Sequence, residues 1–284
     1  GSDDSSSVGV SADGSGAVSL KATESTGTRT LTVNADVLSG SGLFDLYAEE
    51  ALTVAAGVSL TTGSDSIVRV ESGFAGLELG AGSTVSSGTG NVSLIAETGV
   101  TVGAGSTVSS GTGNVSLIAE TGVTVGAGSS VTTSGNGLLF VAGKTTVGIN
   151  DDSTLTGGTG GLLVRAGDLS VGSGSALSAE TTGPVLLEAD VMGLTISGTA
   201  EDSTTTVSSG TGDITLSANG NLHLETDPSA NGAVTVSTGG SGSLTLFSTG
   251  GDLLMDATAS LQTADGNQIL EAKGDGGDGS TVRL

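Results

Sequence analysis

GAGSTVSSGTGNVSLIAETGVTV, residues 80–102, recurs letter for letter as residues 103–125, so the chain advances by a period of 23 residues. A period of that size belongs to chains that wind, in which one unit cannot bury its apolar face alone and stacked units bury a continuous core. Working outward from this pair, the motif apolar-x-apolar-x-small that begins at Val92 begins again at Val18, Phe44, Val68, Val115, Leu138, Leu162, Val185, Ile214, Leu244 and, in a diverged form, Gln268. A second motif, apolar-x-apolar, follows each of these, as at Leu31/Val33, Val100/Val102, Thr145/Val147 and Val282/Leu284. A third carries one apolar residue among serines and threonines, at Val85, Val108, Val131, Leu155, Leu177 and Val207.

Every apolar segment alternates with period two, is rich in Val, Leu, Ser and Thr, and ends at Gly, Asn or Asp, which marks a strand and its turn. Helix is set aside, because no useful i, i+3, i+4, i+7 stripe exists and a glycine every fifth or sixth residue would cost about 1 kcal/mol each inside one. The expected fold is therefore all-β: a parallel β-helix, or β-solenoid, of about eleven coils of 23–30 residues with three short strands per coil. Its hand is expected to be right, as in nearly all parallel crossovers. At ~4.8 Å per coil the rod would be on the order of 50 Å long.

Residues 1–16 read as a tag, linker or cap, and residues 17–284 as one solenoid domain with longer loops near 197–206 and 226–233. The opening Gly1-Ser2 looks like a cloning scar, which predicts a piece of a longer protein. Residues at one place in successive coils should stack in columns. The inside would hold the apolar marks together with the small residues Ala22, Ala48, Ala96, Ala119, Ala142, Ala166, Ala189, Ala218 and Ala272, at a narrow corner. No charged residue falls on an inside position, which a wrong register would rarely achieve.

Composition narrows the function. The 30 acidic against seven basic residues leave a formal charge of −23, and no run of Lys or Arg interrupts it, so phosphate backbones are repelled and nucleic acid is excluded. Aromatic residues are 2% of the chain and Trp is absent, which leaves nothing from which to build a sugar-stacking platform. With 35% hydrophobic residues the chain can bury a core, yet no stretch approaches the ~20 apolar residues of a membrane-spanning helix, and no membrane insertion is expected. Zero cysteines and one histidine leave no thiol nucleophile, triad or zinc site. The chain is read as no enzyme.

Coils of the form GNVSLIAETGVTVGAGSTVSSGT, cysteine-free and tandem across nearly the whole chain, resemble the β-helical shafts of filamentous-haemagglutinin-like proteins and autotransporter adhesins of bacteria. GDITLSANGNLHL, residues 212–224, is especially similar to their glycine-x-hydrophobic-x-leucine units. The resemblance implies a non-enzymatic structural or adhesive shaft, extracellular or on the bacterial cell surface, with a cell-surface or polysaccharide ligand as its partner.

His223 lies between Leu222 and Leu224 at an outward position and reads as a surface histidine. Asp151, Asp152, Asp275 and Asp278 sit in glycine-rich turns. Ordinary solvated turns are the first reading of all four; a weak calcium site is the second, calcium being the one cofactor this composition could hold. An outward apolar patch is expected at Ile95, Ile118, Leu139, Val141, Leu163 and Leu186. Such patches mark contacts, so self-association side by side, or end to end through open strand edges, is anticipated. A ladder of hydroxyls through Thr84, Thr107, Thr132, Thr154, Thr156 and Thr206 resembles that of ice-binding β-solenoids and supplies the alternative function, recognition of ice or another regular surface.

Overall fold

The computed structural model describes residues 10–23, 29–63, 65–273 and 281–284. Among them the chain is strand and turn apart from one short 3-10 segment, Pro228–Ala230, set in the longer loop after the strand Leu222–Thr226. The third strands of successive coils stack as a parallel sheet of 11, from Val10–Ala12 to Ala259–Thr263. First and second strands share a parallel sheet of 20, because in two coils they fuse round the corner as Leu138–Ile149 and Gly161–Val171. The chain is a β-solenoid of about 11 turns with about three strands per turn. The first described strand, Val10–Ala12, pairs with Val37–Ser39.

The exact repeat stacks like on like: Val92 on Val115, Leu94 on Leu117, Ala96 on Ala119. Leu94, Leu117, Val100, Val123, Val85 and Val108 are all essentially unexposed. Each such side chain contributes about 1.5–3 kcal/mol of burial, repeated coil after coil, which is what holds a fold with almost no aromatic residues together.

One phase differs from the sequence reading. Leu139 pairs with Val115 and Val141 with Leu117, both wholly buried, so neither belongs to an outward patch. Leu138, Phe140 and Ala142 take the outward side, and Gly143 holds the place expected for Ala142 on the inner corner column. The cause is one extra residue in the turn before the strand: Thr133 to Leu139 spans six positions where Ser110 to Val115 spans five. The other phase would force Phe140 into a column of Leu94, Leu117 and Val164, and overpacking of that kind costs about 1–3 kcal/mol. The second strand shifts too, so its buried pair is Val147/Ile149 rather than Thr145/Val147.

Hydroxyl columns line the inside of two corners. Ser83, Ser106, Ser129, Ser153 and Ser175 are buried one above another. Ser129 Oγ donates to the Gly103 carbonyl at 2.8 Å and accepts the Ser106 N–H at 3.3 Å; Ser106 repeats this with Gly80 and Ser83 at 3.0 and 3.2 Å. At the other end of the third strand Ser87, Ser110, Thr133, Ser209 and Thr238 each donate to a carbonyl across the turn, as Ser110 does to Gly90 at 2.8 Å. Sheet hydrogen bonding lapses at corners, and these hydroxyls satisfy the backbone groups it leaves. Glycine suits the left-handed turn position, as at Gly105 (φ +66), a place that Asp152 fills in a later coil, and it is required where coils nearly touch: a Cβ on Gly113 would lie 2.4 Å from the Gly90 carbonyl oxygen.

Candidate functional site

Two outward faces follow from the fold. On the third-strand sheet, alternation sends every second residue to solvent, and the register aligns these as two parallel columns. Thr84, Thr107, Ser130 and Thr154 form one; Ser86, Ser109, Thr132 and Thr156 form the other. The columns extend through Ala176/Ser178 and Thr206/Ser208 to Thr235/Ser237 and Ser260/Gln262. Thr84, Thr107, Thr132, Thr154, Thr156 and Thr206 are all half-buried by their neighbours along the columns. Among the described residues of these strands no outward position carries a charge, although the chain as a whole stands at −23.

The first-strand face is different. Its middle is apolar, with Ile95 over Ile118 over Ala142 in one column and Phe140 over Leu163 over Leu186 in the next. The two runs overlap at the coil that holds both Phe140 and Ala142, so the apolar band crosses the face on a diagonal. All six side chains are half-buried. Phe140 is the member that the sequence reading missed, and Leu139 and Val141 are the two it wrongly included.

Charges flank the band. Towards the N-terminus Asp45, 9% exposed, is covered by Lys21, whose Nζ lies 3.0 Å from Oδ2, and by Arg69, whose Nη1 lies 4.0 Å from Oδ1. Arg69 also pairs with Glu71. Asp45 Oδ1 accepts no hydrogen bond. Beyond the band, Arg165 Nε donates to Asp190 Oδ2 at 2.6 Å and lies 3.6 Å from Glu188. The hydrogen bond to Asp190, then the charges of Asp190 and Glu188, raise the Arg165 pKa above its ordinary value. Asp45 gave no sign in sequence, since only stacking brings Lys21, Asp45 and Arg69 together from three coils. An open groove runs beside the band, lined by Ile118, Glu120, Lys144, Arg165, Asp190 and Val191.

The remaining candidates lie at turns. Asp151 Oδ1 accepts the Ser173 N–H of the next coil at 2.8 Å, and Asp152 occupies an exposed left-handed turn position (φ 56). Asp275 and Asp278 lie outside the described residues. Asp151 follows a wider pattern: Asn91, Asn114, Asp213 and Asp252 each use a side-chain oxygen to accept a backbone N–H one coil on, at 2.8–2.9 Å. Asp151, Asp213 and Asp252 thus do structural work at corners. At Asp252 the Thr281 N–H and hydroxyl hold the carboxyl below the usual range. His223 is half-buried, with Nε2 3.2 Å from Asp256 Oδ1. Burial opposes ionisation of Asp256, yet the Thr226 N–H and His223 outweigh it and lower its pKa. Among the described residues no three His, Asp or Glu side chains converge closely enough to hold a metal ion.

Compared with known proteins, the chain matches no family model, no curated protein and no solved structure.

Proposed function

We propose that this chain is the non-enzymatic shaft of a large secreted or cell-surface repeat protein of the filamentous-haemagglutinin or autotransporter-adhesin type, holding an extended binding surface out from its anchor. The observation that carries this reading is the unbroken parallel stack: one step, repeated with like residues on like, runs through the 11 strands of the third-strand sheet. Such a stack spends its sequence on length and stiffness, and neighbouring coils supply each other's core. Incubation with bacterial and host polysaccharides, reading retention by affinity electrophoresis and cleavage by new reducing ends, tests it. Retention without cleavage supports a shaft that also binds; cleavage of any substrate overturns the non-enzymatic reading.

The charge-free double column of hydroxyls favours a second reading, recognition of ice or another regular neutral surface. Evenly spaced hydroxyls on a flat face order the water above them, and a periodic solid is the ligand that can use every rung at once. A thermal-hysteresis assay decides this. Tyr in place of Thr107, Thr154 and Thr206 should abolish activity under this reading and leave polysaccharide retention unchanged.

A further inference from the structure

The geometry points to a second copy of this chain as the occupant of the first-strand face, in a crossed, antiparallel dimer centred on Phe140. Three observations carry the proposal. First, the apolar band is diagonal. From Ile95 to Leu186 it climbs four coils, about 19 Å, while moving one column sideways, about 7 Å, so it tilts by roughly 20° from the rod axis. Two copies laid face to face bring their bands into coincidence when the rods cross at about twice that tilt. That is close to the ~30° at which aligned sheets pack.

Second, the charges permit the approach. Two rods at −23 repel over most of their surfaces, but the outward positions of the first strands carry Lys21, Arg69 and Arg165 against Asp45, Glu71, Glu188 and Glu271. This face is nearly neutral and holds three of the chain's seven basic residues. The third-strand face is neutral as well, but its outward columns are mostly hydroxyls, and its apolar members, such as Leu38 and Ala176, are scattered singly rather than joined in a band. Third, the orientation is selected. With the rods antiparallel, Ile118 meets Leu163 of the second copy, Ile95 meets Leu186, and Phe140 meets its own equivalent. Arg165 then approaches Glu120 of the other copy, an exposed carboxylate that in its own chain lies 3.6 Å from Lys144. With the rods parallel, Arg165 instead lies over the apolar column of Phe140 and Leu163.

The six positions of the band cover on the order of 200 Å² per copy, well short of the ~800 Å² of a standard stable interface. The dimer is therefore weak and reversible, populated at ~0.1 mM protein, and strengthened by salt that screens the repulsion. It does not depend on what ligand the shaft carries.

Sedimentation velocity from about 1 µM to about 0.1 mM, at 0.05 M and at 1 M NaCl, tests it. The expected result is a monomer–dimer equilibrium that shifts at least severalfold towards dimer in high salt. Leu163→Asp and Ile118→Asp, both outward, should each give monomers with an unchanged far-UV circular dichroism spectrum. The chain has no cysteine, so mixed Ile118→Cys and Leu163→Cys variants read the orientation directly. Oxidation should give the Ile118→Cys/Leu163→Cys heterodimer in excess over either homodimer, and Phe140→Cys should link to itself. A strict monomer at every concentration and salt overturns the dimer, and preferential Ile118→Cys homodimers overturn the antiparallel register.

Discussion

Leu139 and Phe140 are adjacent in sequence, and replacing each by alanine should have very different consequences. Leu139 is wholly buried, stacked between Val115 and Leu162 of the neighbouring coils. Truncating it removes buried carbons and leaves a cavity that rigid strands above and below cannot close, at a cost of about 2–5 kcal/mol. Phe140 stands on the outer face beside Ser116 and Leu163, half-buried, and its truncation in the monomer should cost about 1 kcal/mol or less. For a chain of this size a loss of 1 kcal/mol lowers Tm by about 2–4 °C, so Leu139→Ala should melt at least ~4 °C lower, and Phe140→Ala within ~4 °C of the parent. Circular dichroism melts at micromolar protein, where the dimer is dissociated, measure the difference. Hydrogen exchange should place the Leu139→Ala damage in the strands from Val115–Ala119 to Gly161–Val171, because each coil leans mainly on its neighbours. A Phe140→Ala variant that loses as much as Leu139→Ala, or more, would refute the assigned phase and the overpacking argument behind it.

Ser129→Ala should cost about 0.5–1.5 kcal/mol in urea titrations, because it removes the hydroxyl that bridges the Gly103 carbonyl and the Ser106 N–H and leaves them only their own 3.2 Å bond to each other; the outward Ser109→Ala should stay within ~0.5 kcal/mol. Deleting residues 103–125 in frame removes one whole period and should leave a folded rod about 4.8 Å shorter by small-angle scattering, whereas deleting ten residues should unfold the chain. The carboxyls of Asp252 and Asp256 titrate below their ordinary value of 3.8 in the folded chain, so the stability they add is present above that pH and lost as the pH falls through the lower, folded values. Melting temperature should accordingly fall below about pH 3.8, with the Asp256→Asn variant showing a shallower slope; an identical slope would place the acid sensitivity elsewhere.

Period, strand character and most of the inward columns were legible in the letters, because an exact repeat of 23 residues forces like residues to stack, and the two-residue alternation of a strand then assigns each side chain a face. That reasoning placed Leu94, Leu117, Val100, Val85 and the alanines Ala96 and Ala119 inside, where they lie. It also placed Thr84, Thr107 and Thr154 in one outward column. It failed at LLFVAG, residues 138–143, where two phases both look apolar and only the fit against Val115 and Leu117 chooses between them. The corner serines were equally hidden, since Ser83 and Ser86 differ in sequence by nothing that says one is buried against a carbonyl and the other faces water. Asp45 reads locally as an ordinary outward carboxylate, and its burial exists only because Lys21 and Arg69 arrive from the coils on either side. Alternation along one strand is local and can be read from the chain alone. The choice between equal phases, the satisfaction of corner carbonyls and the covering of a charge depend on atoms twenty or more residues away, and those are brought within reach only by the winding itself.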